Sequence, residues 1–351
     1  MTVPFPTGSN KASLMLQELR ESGAVCERIL LQNSSRIREL AKHLRKREPP
    51  IIITCARGSS DMAASYAKTL FESRLGTIVA SYSPSMSSIY DTKFRKLDNA
   101  VFIIISQSGR SPDIIASLTA AKEAGAFTIA MVNDENSPAA HIADFVLPLC
   151  AGPEKSVAAT KSFIASLIVI CNLIAEWQDD AELKTVLLTA PQTLNHAAEL
   201  DWDCALDILV PVSNMFVLGR SLTFGIAGEA ALKLKETSSI HAEAFSAAEV
   251  KHGPMALVKD NFPVLMFPPL DAAREQFSKI ACDFSERGAQ CLMVGDRSEH
   301  ALHLPAVGNL HPLIDPIAKI LSFYNFAQTL SCARGLDPDT PPFLQKVTQT
   351  K

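Results

Sequence analysis

Short apolar runs alternate with helical stretches from about residue 49 onward, and this alternation constrains the fold more than any other feature. Pro49 and Pro50 end a helical region spanning 11–46, and Ile51–Thr54 follows as an apolar run bounded by turn residues. Four similar runs follow, at 77–81, 100–105, 127–132 and 145–149. Strands that are apolar on both faces and alternate with helices are typical of a parallel sheet covered on both sides. The sequence therefore predicts an α/β fold of three layers, α/β/α.

A second cycle of the same kind begins near residue 214. It comprises a strand at Met215–Leu218, a small-residue turn at Gly219–Ser221 and a helix at Gly228–Glu236, and it resembles the segment from Ile51 to Glu72 about 164 residues earlier. We interpret this as a duplicated α/β unit, since the period is far longer than that of a solenoid. The expected divisions are a helical segment 1–48, a first unit 49–180, a second unit 203–335 and a tail 336–351. A polar helical linker is expected over 180–202.

Composition and charge exclude several classes of protein. The chain has 33 Lys and Arg against 37 Asp and Glu, a net charge of −4, which argues against nucleic-acid binding as its main role. The longest apolar stretch, Ser162–Ala175, contains Ser166 and Asn172 and is too short to span a bilayer, so a buried helix is expected. Met1–Pro6 has no basic or apolar signal-peptide region, which predicts a cytoplasmic protein that contacts no membrane.

The eight cysteines stand alone in apolar surroundings, with no Cys-x-x-Cys pair. In a chain of this size they are expected to be buried thiols rather than a disulfide framework. No group of Cys and His has the spacing of metal ligands, so neither a metal nor another cofactor is expected.

A serine-rich turn is the first candidate site. Ser106-Gln-Ser-Gly-Arg-Ser111 joins the strand at 101–105 to a helix that begins with Pro112 and Asp113. Unpaired N–H groups at a helix start, with added hydroxyls and a permissive Gly109, favour an anion. A second turn, Arg57–Ser60, adds hydroxyls at a neighbouring strand end, where α/β sheets bind ligands. These features favour phosphate over the alternative that Ser111 merely caps its helix, and no nucleotide-binding motif is present.

A second candidate site is a run of titratable residues after residue 228. Glu229, Lys233 and Glu236 share one helix face, and His241 and His252 follow closely. A carboxylate beside an ammonium and an imidazole can serve as an acid/base set. The alternative is an ordinary surface ion pair, and the residues alone leave both open.

The tail is the third feature. Its prolines between Gly335 and Thr348 exclude a helix and predict an extended segment. Such a terminus is usually disordered, and without the other motifs it gives no reason to assign a function to Lys346.

Together these motifs resemble the sugar isomerase (SIS) domain family. The similarity is to its double-domain form, found in the isomerase half of glucosamine-6-phosphate synthases and in free-standing SIS-type deaminases. It covers roughly residues 50–348, and the matching stretches are 57–60, 106–111, 151–161, 229–243, 251–254 and 337–348. The resemblance implies two flavodoxin-like units and a site for a sugar 6-phosphate. By match, the phosphate would be held by Ser60, Ser106, Gln107, Ser108 and Ser111.

The same resemblance implies catalytic roles. Glu236 would move a proton between C1 and C2, and His252 would reach across from a partner subunit of a homodimer to assist ring opening. Lys233 and Lys346 would lie near the C1 and C2 substituents, while Val157 and Ala159 would line the sugar. Ala159 replaces the family's usual Ser, and Arg57 replaces a small or uncharged residue.

The expected reaction is that of an aminosugar-phosphate deaminase. The synthase has a glutaminase domain with an N-terminal cysteine, whereas only about 50 residues precede the first strand here, so we expect no glutaminase. Without channelled ammonia, the expected direction is glucosamine 6-phosphate plus water to fructose 6-phosphate plus ammonia. The alternatives are a fructosamine-6-phosphate deglycase, an aldose–ketose 6-phosphate isomerase, or a regulator that senses a sugar phosphate without turnover.

Overall fold

The computed structural model describes residues 12–346. Within this range the chain divides into two compact units, each built on one β-sheet. The first-sheet unit comprises Ser22–Glu154 and Lys161–Pro191. The second-sheet unit comprises the described residues up to Glu21, with Lys155–Thr160 and Gln192–Lys346.

Each sheet has five parallel strands. The first sheet has the order β2-β1-β3-β4-β5 and the second the order β10-β9-β8-β6-β7. The strands are β1 (Ile51–Cys55), β2 (Ile78–Ser81), β3 (Val101–Ser106), β4 (Phe127–Val132), β5 (Phe145–Pro148), β6 (Asn214–Gly219), β7 (His241–Ser246), β8 (Pro263–Met266), β9 (Gln290–Val294) and β10 (Leu302–Leu304).

Helices flank both sheets, giving the three-layer α/β/α architecture that the sequence predicts. In chain order they are α1 (Leu14–Arg20), α2 (Ser22–Gln32), α3 (Ser34–Arg47), α4 (Ser59–Leu75), α5 (Ser85–Ser88), α6 (Pro112–Glu123), α7 (Pro138–Ile142), α8 (Lys161–Trp177), α9 (Ala181–Ala198), α10 (Leu206–Leu209), α11 (Leu222–Ser238), α12 (Glu275–Ser285) and α13 (Asp315–Ala333). Three short 3₁₀ turns lie at 203–205, 249–251 and 254–257.

The two sheets have the same strand order. Read from the edge strand that comes second in each unit, β2 or β7, both sheets run second, first, third, fourth, fifth in chain order. β6 begins 163 residues after β1, and α11 begins and ends 163 residues after α4. The residue before each helix has the same unusual backbone, with Gly58 at φ 55°, ψ −134° and Ser221 at φ 55°, ψ −131°. The offset of 163 agrees with the predicted repeat of about 164 residues, and it places Glu236 at the position of Ser73, one residue beyond Glu72.

The apolar runs predicted the central strands correctly, and the strand β7 was missed because exposed residues interrupt its apolar pattern. The predicted strands over 51–54, 77–81, 100–105, 127–132 and 145–149 all form, and β3 is buried at every position. β7 was not predicted because it is an edge strand whose first and third residues, His241 and Glu243, are exposed. The helical region 11–46 forms, but as three helices.

The apolar stretch 162–175 forms the buried helix that its length predicts. It lies in α8, whose residues are almost all buried. Among the helices described between residues 12 and 346, none is long and apolar enough to cross a membrane. The same residues contain no group of three or more His, Cys, Asp or Glu side chains placed to hold a metal ion.

The cysteines are all free, but not all are buried. Cys26, Cys55, Cys171 and Cys291 are buried, and burial raises the pKa of each thiol to about 12. Cys150 and Cys282 are intermediate, whereas Cys204 and Cys332 are exposed. The expectation of eight buried thiols is therefore wrong for the exposed pair, which lies in short, poorly covered segments at a 3₁₀ turn and a helix end.

Thiol titration tests this arrangement. With Ellman's reagent at pH 8, we expect Cys204 and Cys332 to react first, because attack requires an accessible thiolate. The four buried thiols should react only after denaturation. Rapid reaction of any of these four in the folded protein, located by peptide mass spectrometry, would contradict the burial described.

Candidate active site

The two serine-containing turns lie at the same end of the first sheet, where strands β1 and β3 have their carboxyl ends. β1 and β3 are adjacent and parallel, with Ile52 paired to Val101 and Cys55 to Ile104. The turn Arg57–Ser60 follows β1, and the turn Ser106–Ser111 follows β3. The strand order reverses direction between β1 and β3, and ligands of open α/β sheets bind at such a point, beyond the carboxyl ends of the strands.

In the turn Ser106–Ser111, two serine hydroxyls accept hydrogen bonds from backbone N–H groups and can still donate their own protons. The Gly109 N–H donates to Ser106 Oγ at 3.0 Å, and the Arg110 N–H donates to Ser108 Oγ at 3.3 Å. A hydroxyl that accepts one bond can still donate another to an anion. Gly109 has φ 62°, and a Cβ there would lie 2.2 Å from Ser137 Oγ. The turn therefore requires glycine at this position.

Ser111 stands at the N-cap position of α6 but does not cap the helix with its side chain. Its backbone is extended (φ −65°, ψ 123°), Pro112 follows at the first helical position, and the Ser111 hydroxyl makes no capping hydrogen bond. By contrast, Ser137 accepts a bond from the Ala140 N–H at the start of α7. The reading of Ser111 as a side-chain cap is therefore wrong.

Arg57 connects the two turns. Its guanidinium contacts the Asp113 carboxylate through Nε at 3.0 Å and through an Nη at 2.9 Å. Asp113 is fully buried in the first turn of α6, while the Arg57 side chain is about half exposed. Nearby on α4, burial raises the pKa of Asp61, and the positive charge of Arg57 opposes this shift. Arg57 thus links the turn after β1 to the first turn of α6, with its charge paired to Asp113 and its side chain about half exposed.

The titratable run lies in the second-sheet unit, on α11. Lys233 is fully buried, and its Nζ lies 3.5 Å from Glu229 Oε1 and donates to Glu236 Oε2. Glu229 is also fully buried, whereas the Glu236 side chain is 21% exposed. The alternative of a solvent-exposed surface pair is therefore wrong. A buried ammonium is held between two carboxylates, and of the three side chains only Glu236 is accessible.

Tyr324 of α13 completes this cluster, and sequence reasoning missed it. Its hydroxyl donates to Glu229 Oε1 at 2.7 Å, in a fully buried position. The partners are 95 residues apart, and no periodic signal in α13 marks the contact. Glu229 therefore accepts from a neutral donor as well as facing Lys233, an arrangement that fixes its carboxylate.

The other titratable residues of the run are more exposed. His241 begins β7, and His252 follows the 3₁₀ turn 249–251, both exposed. The hydrogen bond and ion pair described for Glu236 are with Lys233 and do not include His252. Lys235 donates to the Ala242 carbonyl at 2.8 Å, and burial lowers its pKa, opposed by the charge of Glu236.

The tail forms no helix between residues 336 and 346, as its prolines predict, but it follows bends and a turn instead of running extended, and it contacts the loop Lys155–Thr160. Lys346 Nζ donates to the Ser156 carbonyl at 2.7 Å, and the Val157 N–H donates to the Asp339 carbonyl at 3.2 Å. Val157 and Ala159 are half-buried in this loop. Lys346 thus lies beside the loop that carries both predicted sugar-lining residues, while Val347 and Thr348 lie outside the described residues.

Comparison with known proteins gives consistent matches. A sequence model of the SIS domain matches residues 40–175 and 208–333. The glutamine–fructose-6-phosphate aminotransferase (isomerizing) of Thermococcus kodakarensis is 34% identical over 354 residues, which cover 95% of this chain and 57% of that enzyme. The corresponding enzyme of Aquifex aeolicus is 36% identical over a match that covers 74% of this chain and 46% of the length of that enzyme. The chain therefore spans about half the length of these curated relatives.

Solved structures agree. A protein of Silicibacter pomeroyi assigned as a phosphosugar isomerase superposes with a TM-score of 0.88 at 38% identity, covering 93% of this chain and all of that one. The C-terminal domain of glucosamine-fructose-6-phosphate aminotransferase from Francisella tularensis superposes with a TM-score of 0.80 at 26% identity, covering 95% of this chain and all of that domain.

Paired serine substitutions on α6 test the anion site. Ser111→Ala should change the free energy of unfolding little, because the hydroxyl makes no capping bond, yet weaken phosphate binding by about 1.5–3 kcal/mol. The matched control is Ser117→Ala, whose hydroxyl donates to the Asp113 carbonyl within the helix. This control should leave affinity for a phosphorylated ligand unchanged, as measured by calorimetry. Equal affinities for Ser111→Ala and the unaltered protein would contradict the assignment.

Proposed function

The chain belongs to the SIS-domain family, and from this membership we propose that it is an enzyme that isomerises a phosphosugar by proton transfer between C1 and C2. The observation that supports this most strongly is the row Glu229, Lys233 and Glu236. Its first two members are fully buried, and the third has an accessible carboxylate. A partly exposed carboxylate that is oriented by a buried ammonium is a candidate general base.

The phosphate is assigned to the turns of the first-sheet unit. The serine hydroxyls of the two turns, the helix start at Pro112 and the anchored Arg57 support an anionic ligand here. The residues proposed to bind it are Ser60, Ser106, Gln107, Ser108 and Ser111. Binding energy from a phosphate remote from the reacting carbons can be used to orient the sugar.

Proton transfer is assigned to Glu236. In the ring-opened amino sugar, the Glu236 carboxylate removes the proton from C2. The electron pair of the C–H bond forms a double bond between C1 and C2, and the π pair of the C1 carbonyl moves onto O1, which takes up a proton. The same carboxyl group then gives its proton to C1 while the C2 amine loses one proton from nitrogen, which leaves a hydroxyl at C1 and an imine at C2. Lys233 donates a hydrogen bond to Glu236 Oε2 and thereby orients the carboxylate for the first step. Water adds to the imine and ammonia departs, so the atoms balance as glucosamine 6-phosphate plus water to fructose 6-phosphate plus ammonia.

The remaining assignments follow the family resemblance. Lys346 is proposed to act near the C1 and C2 substituents, and its contact with the loop of Val157 and Ala159 supports this. His252 is proposed to assist ring opening in a neighbouring subunit of a homodimer, which agrees with its exposed position on a loop. The substrate is proposed from the names of the curated relatives, which specify fructose 6-phosphate and an amino group.

A panel of substrates tests the proposal. The protein is incubated with glucosamine 6-phosphate, a fructosamine 6-phosphate, glucose 6-phosphate and unphosphorylated glucosamine, and the release of ammonia and of ketose is measured. Ammonia and fructose 6-phosphate from the first substrate alone would support the deaminase. Ketose without ammonia would support a plain isomerase, and amine release from the second substrate a deglycase. Binding without any turnover would identify a regulator.

Glu236→Gln tests the assignment of the base. Glutamine keeps the shape but cannot accept the proton, so kcat should fall by about 10²–10⁴ with KM little changed. Exchange of the C2 proton with deuterated water, followed by NMR, should be abolished. The matched control is Glu243→Gln on the exposed face of β7, which should exchange normally. If Glu243→Gln lost exchange and Glu236→Gln kept it, Glu243 would be the base.

Subunit mixing tests the role of His252. Glu236→Gln and His252→Ala proteins should each be inactive, yet heterodimers formed from them should regain part of the activity, because one site would be intact. Subunit exchange is verified with differently tagged chains. Absence of recovery after proven exchange would place both residues in a site built by a single chain.

A further inference from the structure

Lys346 and Val157 lie in segments without helix or strand, yet the proposed chemistry requires their positions to be fixed. The Ser156–Val157 peptide is held at both ends by the tail. Its carbonyl accepts from Lys346 Nζ at 2.7 Å, and its N–H donates to the Asp339 carbonyl at 3.2 Å. The tail and the loop that carries Val157 therefore cannot move independently while both bonds are made.

Glu18 of α1 holds the same loop from another direction. Its two carboxylate oxygens accept the backbone N–H groups of Lys155 and of Ser156, the latter at 3.2 Å. Glu18 is only 5% exposed, and hydrogen bonds from amides to a buried carboxylate are strong. The carboxylate thus fixes the two residues that precede the carbonyl to which Lys346 binds.

The helix that carries Glu18 is in turn held by the tail. The Asp339 carboxylate accepts the N–H groups of Leu14 at 2.7 Å and Met15 at 2.8 Å, at the start of α1. Met15 and Leu19 on the same helix are fully buried. The contacts therefore close a ring that runs from the tail to α1, from Glu18 to the loop, and from the loop back to the tail.

We propose that Glu18 is a positioning residue for the reaction: it fixes the loop 155–159, and through the Ser156 carbonyl it places the Lys346 ammonium. This inference rests on the proposed function for the roles of Lys346 and Val157. Loss of the Glu18 carboxylate frees two amides of the loop, and the anchor of Lys346 moves with them.

Chemical labelling tests the placement without any substrate. Purified full-length protein is treated with a low dose of acetic anhydride, and the acetylation rate of each lysine is measured by mass spectrometry. In Glu18→Gln, Lys346 should be acetylated about fivefold faster or more, because local opening exposes its amine. Lys251, which pairs with Asp283 elsewhere on the unit, serves as the internal reference. The control Arg20→Gln lies on the same helix and removes only an exposed pair with Glu199.

A double-mutant cycle tests the effect on catalysis. Glu18→Gln should lower kcat about tenfold or more, whereas in a Lys346→Met background it should cost almost nothing further, because its effect passes through Lys346. A merely structural role would lower activity by the same factor in both backgrounds and would overturn the proposal. So would a folded Glu18→Gln protein whose Lys346 is acetylated at the unaltered rate.

Asp339→Asn provides a second variant if Glu18→Gln does not fold. It weakens the hold on α1 from the tail, and faster acetylation of Lys346 is again expected, an unchanged rate counting against the proposal. Faster labelling in a protein that turns over no phosphosugar would uphold the positioning of Lys346 by Glu18 and reject the proposed function instead.

Discussion

The buried ammonium of Lys233 is the interaction on which the candidate chemistry depends. Moving a lysine from water into the protein interior costs several kcal/mol unless opposite charges surround it. Glu229 and Glu236 supply those charges, and Tyr324 occupies the same oxygen of Glu229 that faces Lys233. Of these three charged side chains only Glu236 is partly exposed, so the buried ammonium orients one carboxylate that is accessible from the surface.

The duplicated units place different side chains on the same backbone frame. The turns at Gly58 and Ser221 have nearly identical dihedral angles, although only the first has the residue that adopts them without strain. In the first-sheet unit, the helix after this turn begins with hydroxyls, Ser59 and Ser60. In the second, the corresponding helix carries its polar groups nearer its end, at Lys233 and Glu236. The repeated scaffold thus carries the candidate anion site in one copy and the candidate proton-transfer site in the other.

Local sequence predicted most of the first sheet, because its central strands are buried on both faces and read as apolar runs. The same reasoning placed Ser106–Ser111 between a strand and a helix, and Glu229, Lys233 and Glu236 on one helical face. It missed β7, where exposed side chains interrupt the pattern, and the contacts of Tyr324 and Glu18, whose partners lie 95 and 137 residues away. Such contacts depend on tertiary packing and leave no periodic trace in the sequence.

Irregular segments can be as well fixed as helices when side chains replace the missing backbone partners. The loop 155–157 has no sheet or helix to satisfy its amides, and an unsatisfied buried amide costs about 1–3 kcal/mol. Glu18 and the tail supply the partners, so the order of the loop depends on residues near both ends of the described chain. Since the Asp339 carboxylate of the tail also accepts the first N–H groups of α1, hydrogen bonds link the helix, the loop and the tail to one another.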